Sequence, residues 1–281
     1  PARDTCEQCH QPDKFHGNKL FARVHYQEDE ENSQLLNVLV LRVGGANVLT
    51  GAYEGIHTHV SADTEIRYEA LDEKREKIGR IMVFKDGALL REYLPPGEVA
   101  EAREVRTMDC VDCHNRPTHR YDGSPARAMD IGFDLGLLDR ETPWLRKVGF
   151  PILAREDRPR EGLEAVFSKE LTEAYAKDHP DVELTPEQVQ KAAAGLAELY
   201  RRNVWPRMKI GWDTYPTHIG HAGESADIRG CFRCHNEEHK TSDGKVLSQD
   251  CSLCHEQLAD EEAPDDLDEG LRSMLFGSQD D

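Results

Sequence analysis

A Cys-x-x-Cys pair followed at once by histidine occurs four times in this chain. The copies are Cys6-x-x-Cys9-His10, Cys110-x-x-Cys113-His114, Cys231-x-x-Cys234-His235 and Cys251-x-x-Cys254-His255. Together they use all eight cysteines, so no thiol is left over for a disulfide framework. The last two pairs have the separation of a zinc ribbon. Four thiolates already complete a tetrahedral zinc site, however, and a ribbon leaves His235 and His255 without a role. The first two motifs, ending at His10 and beginning at Cys110, are also too far apart for one ribbon. Porphyrin attachment accounts for every residue of the pattern. Two thiols bond to the vinyl groups, and the next residue supplies an axial imidazole to iron. The expectation is four covalently bound c-type haems with His10, His114, His235 and His255 as proximal ligands.

Histidine supply agrees with this reading. The chain has thirteen histidines, and the nine that are not proximal are more than enough for four distal positions. Methionine, the other common sixth ligand, raises the reduction potential. The five methionines, Met82, Met108, Met129, Met208 and Met274, lie in no obvious ligand loop. Bis-histidine ligation at low potential is therefore expected at most or all irons.

Composition points the same way. Hydrophobic content of 38% and aromatic content of 7% are low for a self-sufficient core in 281 residues. Large apolar macrocycles would make up the deficit, and the polypeptide around them should fold poorly without them. A formal net charge of −19 argues against nucleic acid as a partner and favours basic patches on redox proteins. The longest apolar run, "LLNVLVLRV", is strand-sized, far short of a membrane span. The chain opens at Pro1 without a signal peptide, which leads to the expectation of a processed, exported protein. Haem attachment to such motifs is completed outside the cytoplasm, so a periplasmic or extracellular location follows.

The expected fold class is α+β and loop-rich, arranged around the haems. Residues 1–33 read as an N-terminal haem segment. Residues 34–97 read as a haem-free β insert, with antiparallel strands over about 34–95. "SQLLNVLVLRVGG" and "TEIRYEAL" supply strands, and "GRIMVFKDGALLREYL" a hairpin around Asp86-Gly87. Residues 98–255 read as helical and loop-rich, with three haem motifs and helices over about 124–203. Ser124-Pro125 offers an N-cap with proline at the first helical position. Thr185, Pro186 and Gln188 form a capping-box start for the clearest helix, whose Val189, Ala192, Ala193, Leu196, Leu199 and Tyr200 recur at helical spacing. Residues 256–281 hold ten acids against a single Arg272 and are expected to be a solvated, partly mobile tail whose "GLRSMLF" stretch docks.

Distal ligands are chosen on local grounds. His57 and His59 in "GIHTHV" share a face if the segment is a strand, so one or both can reach a haem. His119, stiffened by Pro117, is placed to serve a neighbouring haem rather than that of His114. His221 and His239 occupy short loops beside the C-terminal motifs and are preferred over His218, which is expected to make a loop hydrogen bond. His16 and His25 are weaker choices, and His179 is expected to face solvent.

The segments "PARDTCEQCHQPDKFHGNKL", "GIHTHV", "DCVDCHNRPTH" and "WDTYPTHIGHAGESADIRGCFRCHNEEHKTSDGKVLSQDCSLCH" resemble the C-terminal region of multihaem cytochromes of the NapC/NirT family. The resemblance covers nearly the whole chain and is most specific in the last stretch. It implies haem at all four motifs and a histidine kept at the positions of His59, His119, His221 and His239. It also implies preference for His221 over His218, because relatives carry "TYPNNIGH" where this chain has "TYPTHIGH". Members of the group often carry a membrane anchor and further haem motifs ahead of such a segment, so a form released by processing is the expectation here.

One-electron transfer along a chain of six-coordinate haems, between redox donor and acceptor proteins, is the function these features favour. A shuttle, a subunit of a respiratory complex, and a protomer of an extracellular filament built from copies of the chain remain open. The rival of another class is a multihaem reductase of nitrogen or sulfur oxyanions, which needs an iron with an open sixth position.

Overall fold

The computed structural model describes residues 2–10, 17–46, 53–98, 100–116, 121–221 and 230–277. Its elements in chain order are α1 (Ala2–Cys6), β1 (Lys19–Tyr26), β2 (Gln34–Leu41), β3 (Gly45–Ala46), β4 (Tyr53–Glu54), β5 (Thr64–Ala70), β6 (Ile78–Lys85), β7 (Ala88–Tyr93) and β8 (Glu104–Thr107). There follow α2 (Cys110–Cys113), α3 (Pro125–Asp134), α4 (Leu145–Ala154), α5 (Leu163–Asp178), α6 (Pro186–Asn203), β9 (His255–Glu262) and α7 (Glu269–Phe276). This mixture of helix and antiparallel sheet is compatible with the α+β expectation. The elements form two compact units, interleaved along the chain rather than divided into consecutive segments. The first comprises residues 1–21, 40–120 and 216–256, and the second residues 22–39, 121–215 and 257–281.

All four Cys-x-x-Cys-His motifs fall in the first unit. Its principal element is a four-stranded sheet of order β7-β6-β5-β8, antiparallel at each pairing. The β6–β7 hairpin turns at Asp86 and Gly87, both at positive φ (50° and 78°), as a tight two-residue turn that follows strand twist requires. Tyr68, Ala70, Ile78, Ile81 and Tyr93 make a small buried cluster, with Met108, Cys234 and Leu247 packed against it. Beside it β3 pairs with β4. Gly44 sits there at φ 72°, and a Cβ at that point would lie 1.7 Å from the Glu54 carbonyl oxygen, so only glycine allows this approach.

The second unit is helical. α3, α4, α5 and α6 bury Met129, Phe133, Leu145, Leu153, Phe167, Leu171, Leu196 and Leu199, among others, in one apolar cluster. Ser124 caps α3 by accepting from the Arg127 amide at 3.1 Å. Thr185 and Gln188 cap α6 reciprocally, the Gln188 amide donating to Thr185 Oγ1 (3.2 Å) and the Thr185 amide to Gln188 Oε1 (2.9 Å). Buried charge is paired, Arg146 with Asp130 at 3.5 Å. No helix among the described residues is long and apolar enough to cross a membrane.

Three expectations change. Residues 34–41 do not join the sheet formed by residues 64–107. β2 lies instead between β1 and β9 in a separate three-stranded sheet, because its Leu36 and Val38 bury against Ala259, Leu267 and Leu271. The acidic C-terminal region is consequently structured over residues 255–276, as strand and then helix. α7 is capped by Asp268, which accepts from the Gly270 and Leu271 amides, and holds Leu271 inward. His57 and His59 lie in a short 3-10 helix, Ile56–Val60, rather than a strand. Gly55 at φ 74° breaks the extended course, and Thr58 Oγ1 closes the turn on the Gly55 carbonyl at 2.6 Å. The two imidazoles therefore need not share a face.

Candidate haem sites

The motifs share a local shape. In the first three, the histidine amide donates to the carbonyl of the first cysteine, His10 to Cys6 at 2.8 Å, His114 to Cys110 at 2.8 Å and His235 to Cys231 at 3.0 Å. The fourth repeats the turn through the Cys254 amide and the Cys251 carbonyl at 3.2 Å. One helical turn of this kind brings residues i, i+3 and i+4 to the same side, so both thiols and the imidazole face one region. In α2 the turn is held by a capping box. The Val111 amide donates to Asp109 Oδ1 (2.9 Å) and the Asp109 amide to Asp112 Oδ2 (2.8 Å).

The Cys110 thiol pKa is raised by burial and then by Cys6, which hydrogen-bonds it. Burial pushes Cys113 up to about 11, with Cys231 the next cause. Burial pushes Cys234 up to about 12, and Cys113 and Cys231 add to the rise. Cys254 is raised by burial, then by Cys231 and Cys251. Direct contact joins the first three: α1 packs against α2, and Arg233 of the third motif donates to the Asp112 carbonyl of the second (3.0 Å).

Two of the motif histidines have a second imidazole nearby. The rings of His59 and His235 have centroids 5.9 Å apart, and those of His221 and His255 6.3 Å apart. Two imidazoles bound to one metal from opposite sides, each at about 2 Å, have ring centres about 6 Å apart. The residues present therefore fit a metal held between each pair. Hydrogen bonding supports the same role. His57 Nδ1 faces the Val43 carbonyl (3.0 Å), His59 Nδ1 the Ile56 carbonyl (2.6 Å) and His235 Nδ1 the Ser248 carbonyl (3.0 Å). An Nδ1–H committed to a carbonyl leaves the Nε2 lone pair for a metal. Burial lowers the His59 pKa, and its bond to Ile56 opposes this only in part, so the ring is kept neutral and able to ligate. The His114 pKa is lowered by burial, with His57 and His10 as smaller electrostatic causes.

His221 also stacks on Phe232 at 4.8 Å. His239 is placed differently. Its Nδ1 faces Asn236 Oδ1 (3.0 Å) and its Nε2 the Gly79 carbonyl (3.0 Å), so both nitrogens engage protein and tie the loop to β6. His218 turns Nδ1 to the Asp112 carbonyl (3.1 Å), and burial followed by Arg233 depresses its pKa to about 4. His119 and His16 lie outside the described residues. His25 and His179 belong to the second unit, where His25 faces Asp130 (3.5 Å) and His179 stacks on Trp144. Among the described residues, no three His, Cys, Asp or Glu side chains converge as a zinc cage would require. Sequence reasoning passed over Asp112 and Arg233, the spacer residues of two motifs. Their burial (1% and 7% exposed) was the missing signal, and charged spacers alone do not announce it.

Paired thiols on a single turn, each followed by an imidazole, make up the attachment chemistry of a c-type cytochrome. Over 266 residues the chain is 42% identical to cytochrome c-type protein ImcH of Geobacter sulfurreducens. The alignment takes in 92% of this chain and 50% of that protein, so the chain spans half the length of the relative it matches. This similarity supports a c-type cytochrome with covalently bound haem c. No protein-family model and no solved structure matches the chain.

Proposed function

We propose that the chain is a tetrahaem c-type cytochrome that passes single electrons along a row of four haems, in the periplasm or outside the cell. The observation that supports this reading is that all four motifs fall in one unit, with α1 packed against α2 and Arg233 of the third motif bonded to the Asp112 carbonyl of the second. Haem c supplies a one-electron Fe(III)/Fe(II) couple when bound. The chain's own residues do the rest. Cys6 and Cys9, Cys110 and Cys113, Cys231 and Cys234, and Cys251 and Cys254 anchor the groups. His10, His114, His235 and His255 ligate on the proximal side. His59 faces His235, His221 faces His255, and His57 serves the neighbourhood of His114 and His10. His119 and His239 complete the set of distal candidates, although both nitrogens of His239 are engaged with protein here.

Histidine on both sides of a metal closes it to exogenous ligands, which favours electron transfer over oxyanion reduction. The partners are a redox donor and acceptor, and the resemblance to NapC/NirT-family cytochromes belongs to this proposal. Intact mass and a pyridine haemochrome assay on the purified holoprotein test it. Four haems and a low-spin ferric spectrum are expected. Bare polypeptide, bound zinc, or a high-spin haem that turns over nitrite or hydroxylamine would defeat it. Electron microscopy at neutral pH distinguishes a filament protomer from a shuttle or complex subunit.

A further inference from the structure

Between the second and third motifs lies a buried charge cluster that ligation does not use. Arg233, a spacer of the third motif, spends its guanidinium on three backbone carbonyls. Nε donates to Gly230 (2.9 Å), Nη1 to Arg75 (2.6 Å) and Nη2 to Asp112 (3.0 Å). Asp112 is a spacer of the second motif, so the two attachment loops are bonded directly to each other. The same Asp112 carbonyl faces His218 Nδ1. The Asp112 carboxylate accepts from Tyr68 Oη (2.6 Å) and Arg106 Nε (3.0 Å), with Arg75 Nη1 at 3.6 Å. Glu104 pairs with Arg106 (3.1 Å) and Arg75 (3.7 Å) at the cluster's outer edge.

The charge inventory is uneven. Two guanidiniums, Arg75 and Arg106, face the buried Asp112 carboxylate and a third, Arg233, holds the Asp112 main-chain carbonyl, in a chain whose formal net charge is −19. Asp112 and Glu104 are engaged with Arg75 and Arg106, whereas no carboxylate among the described residues lies within ion-pair distance of Arg233. Its charge sits inside the third attachment loop, two residues from His235, and its Nη2 reaches the carbonyl of Asp112, two residues from His114. A charge kept from water acts on its neighbours far more strongly than one at the surface.

We propose that Arg233 and Asp112 are positioning residues of opposite electrical effect, which tune the reduction potentials of the haems on the second and third motifs and fix the spacing of those two haems. The proposal rests on the four-haem reading above. Reduction adds one electron and lowers the positive charge at iron by one. A nearby guanidinium therefore favours the reduced state and raises the potential, and a nearby carboxylate does the reverse. On this account the two middle positions of the row hold an electron more tightly than they would without Arg233.

Spectroelectrochemical titration of the holoprotein tests this, with Arg233→Met, Arg233→Lys and Asp112→Asn beside the parent. Asp112→Asn leaves the backbone carbonyl that Arg233 uses and removes the charge, together with one of the two acceptor oxygens that hold Tyr68, Arg106 and the Asp109 amide. Arg233→Met is expected to lower two of the four midpoints, Arg233→Lys to restore most of that shift, and Asp112→Asn to raise the same two. A merely structural role would move midpoints in the same direction for Met and Asn, or move all four together. Either of those results, or no movement in any variant, overturns the proposal while leaving four haems by mass. Fewer than four haems in the parent would instead sink the haem reading itself. If Arg233→Met does not yield holoprotein, Arg233→Gln replaces it as the charge-removing variant and is expected to lower the same two midpoints, while Asp112→Asn still raises them.

Discussion

The two units solve the problem of a core in opposite ways. In the second, α3 to α6 close on a large apolar cluster that includes Phe167, Leu171, Leu196, Leu199 and Tyr200, none more than 0% exposed. In the first, the buried apolar cluster among the described residues is five residues of one sheet, with Cys234 of the third motif packed against it and the motifs themselves on single turns and short loops. The side-chain core described for this unit is small beside that of the second. Covalent apolar macrocycles and metal–imidazole bonds are the further means of stabilisation that its sequence provides. The lesson is that low hydrophobic content need not mean uniform thinness, since one unit here is conventionally packed and the other is not.

The strongest attempt to break this contrast is to make the chain without haem attachment. Hydrogen exchange should then stay slow in α5 and α6, while residues 2–10, 53–60 and 230–256 exchange like unfolded chain. Full protection in both units would show that the first folds on polypeptide contacts alone. Next in size, Leu196→Ala in the second unit should cost about 2–5 kcal/mol in urea unfolding, from lost burial and a residual cavity. Haem content should be unchanged, and a parallel loss of haem would show that the units are not separable in this way. In the first unit, His59→Met should raise one midpoint potential and introduce a methionine-to-iron charge-transfer band, with little change in the unfolding midpoint. An unaltered spectrum would remove His59 from the ligands. The smallest effect belongs to Thr185→Ala, about 1 kcal/mol from the α6 cap, read by thermal unfolding with all haem spectra unchanged.

Local chemistry was legible where it is self-contained. The caps at Ser124 and Thr185 and the turn at Asp86-Gly87 depend on a few adjacent residues, and the structure has them where their sequences point. "GIHTHV" was misread because two histidines two apart suit a strand. The 3-10 turn depends on Gly55 at positive φ and on bonds from the Ile56 and His57 amides to the Arg42 and Val43 carbonyls, which a local pattern does not display. Strand β2 has strand-like residues, but its partners are β1 and β9, the latter more than two hundred residues away in the chain. The acidic run around β9 and α7 hid the fact that Ala259, Leu267 and Leu271 bury against it. His239 and His221 look alike in sequence, in short loops beside a motif. Only the nearby carbonyls of Ile78 and Gly79 set them apart.

The amino-acid order by itself determined what can be attached, because thioether bonding and axial ligation need two thiols and an imidazole at fixed short spacing, and that spacing is covalent. Tertiary structure alone decided which imidazole rings lie near one another, that the four motifs gather in one unit, and that the Arg233 side chain meets the Asp112 carbonyl. Those relations join residues that are distant in the chain, and they arise from strand pairing and burial that no short stretch encodes.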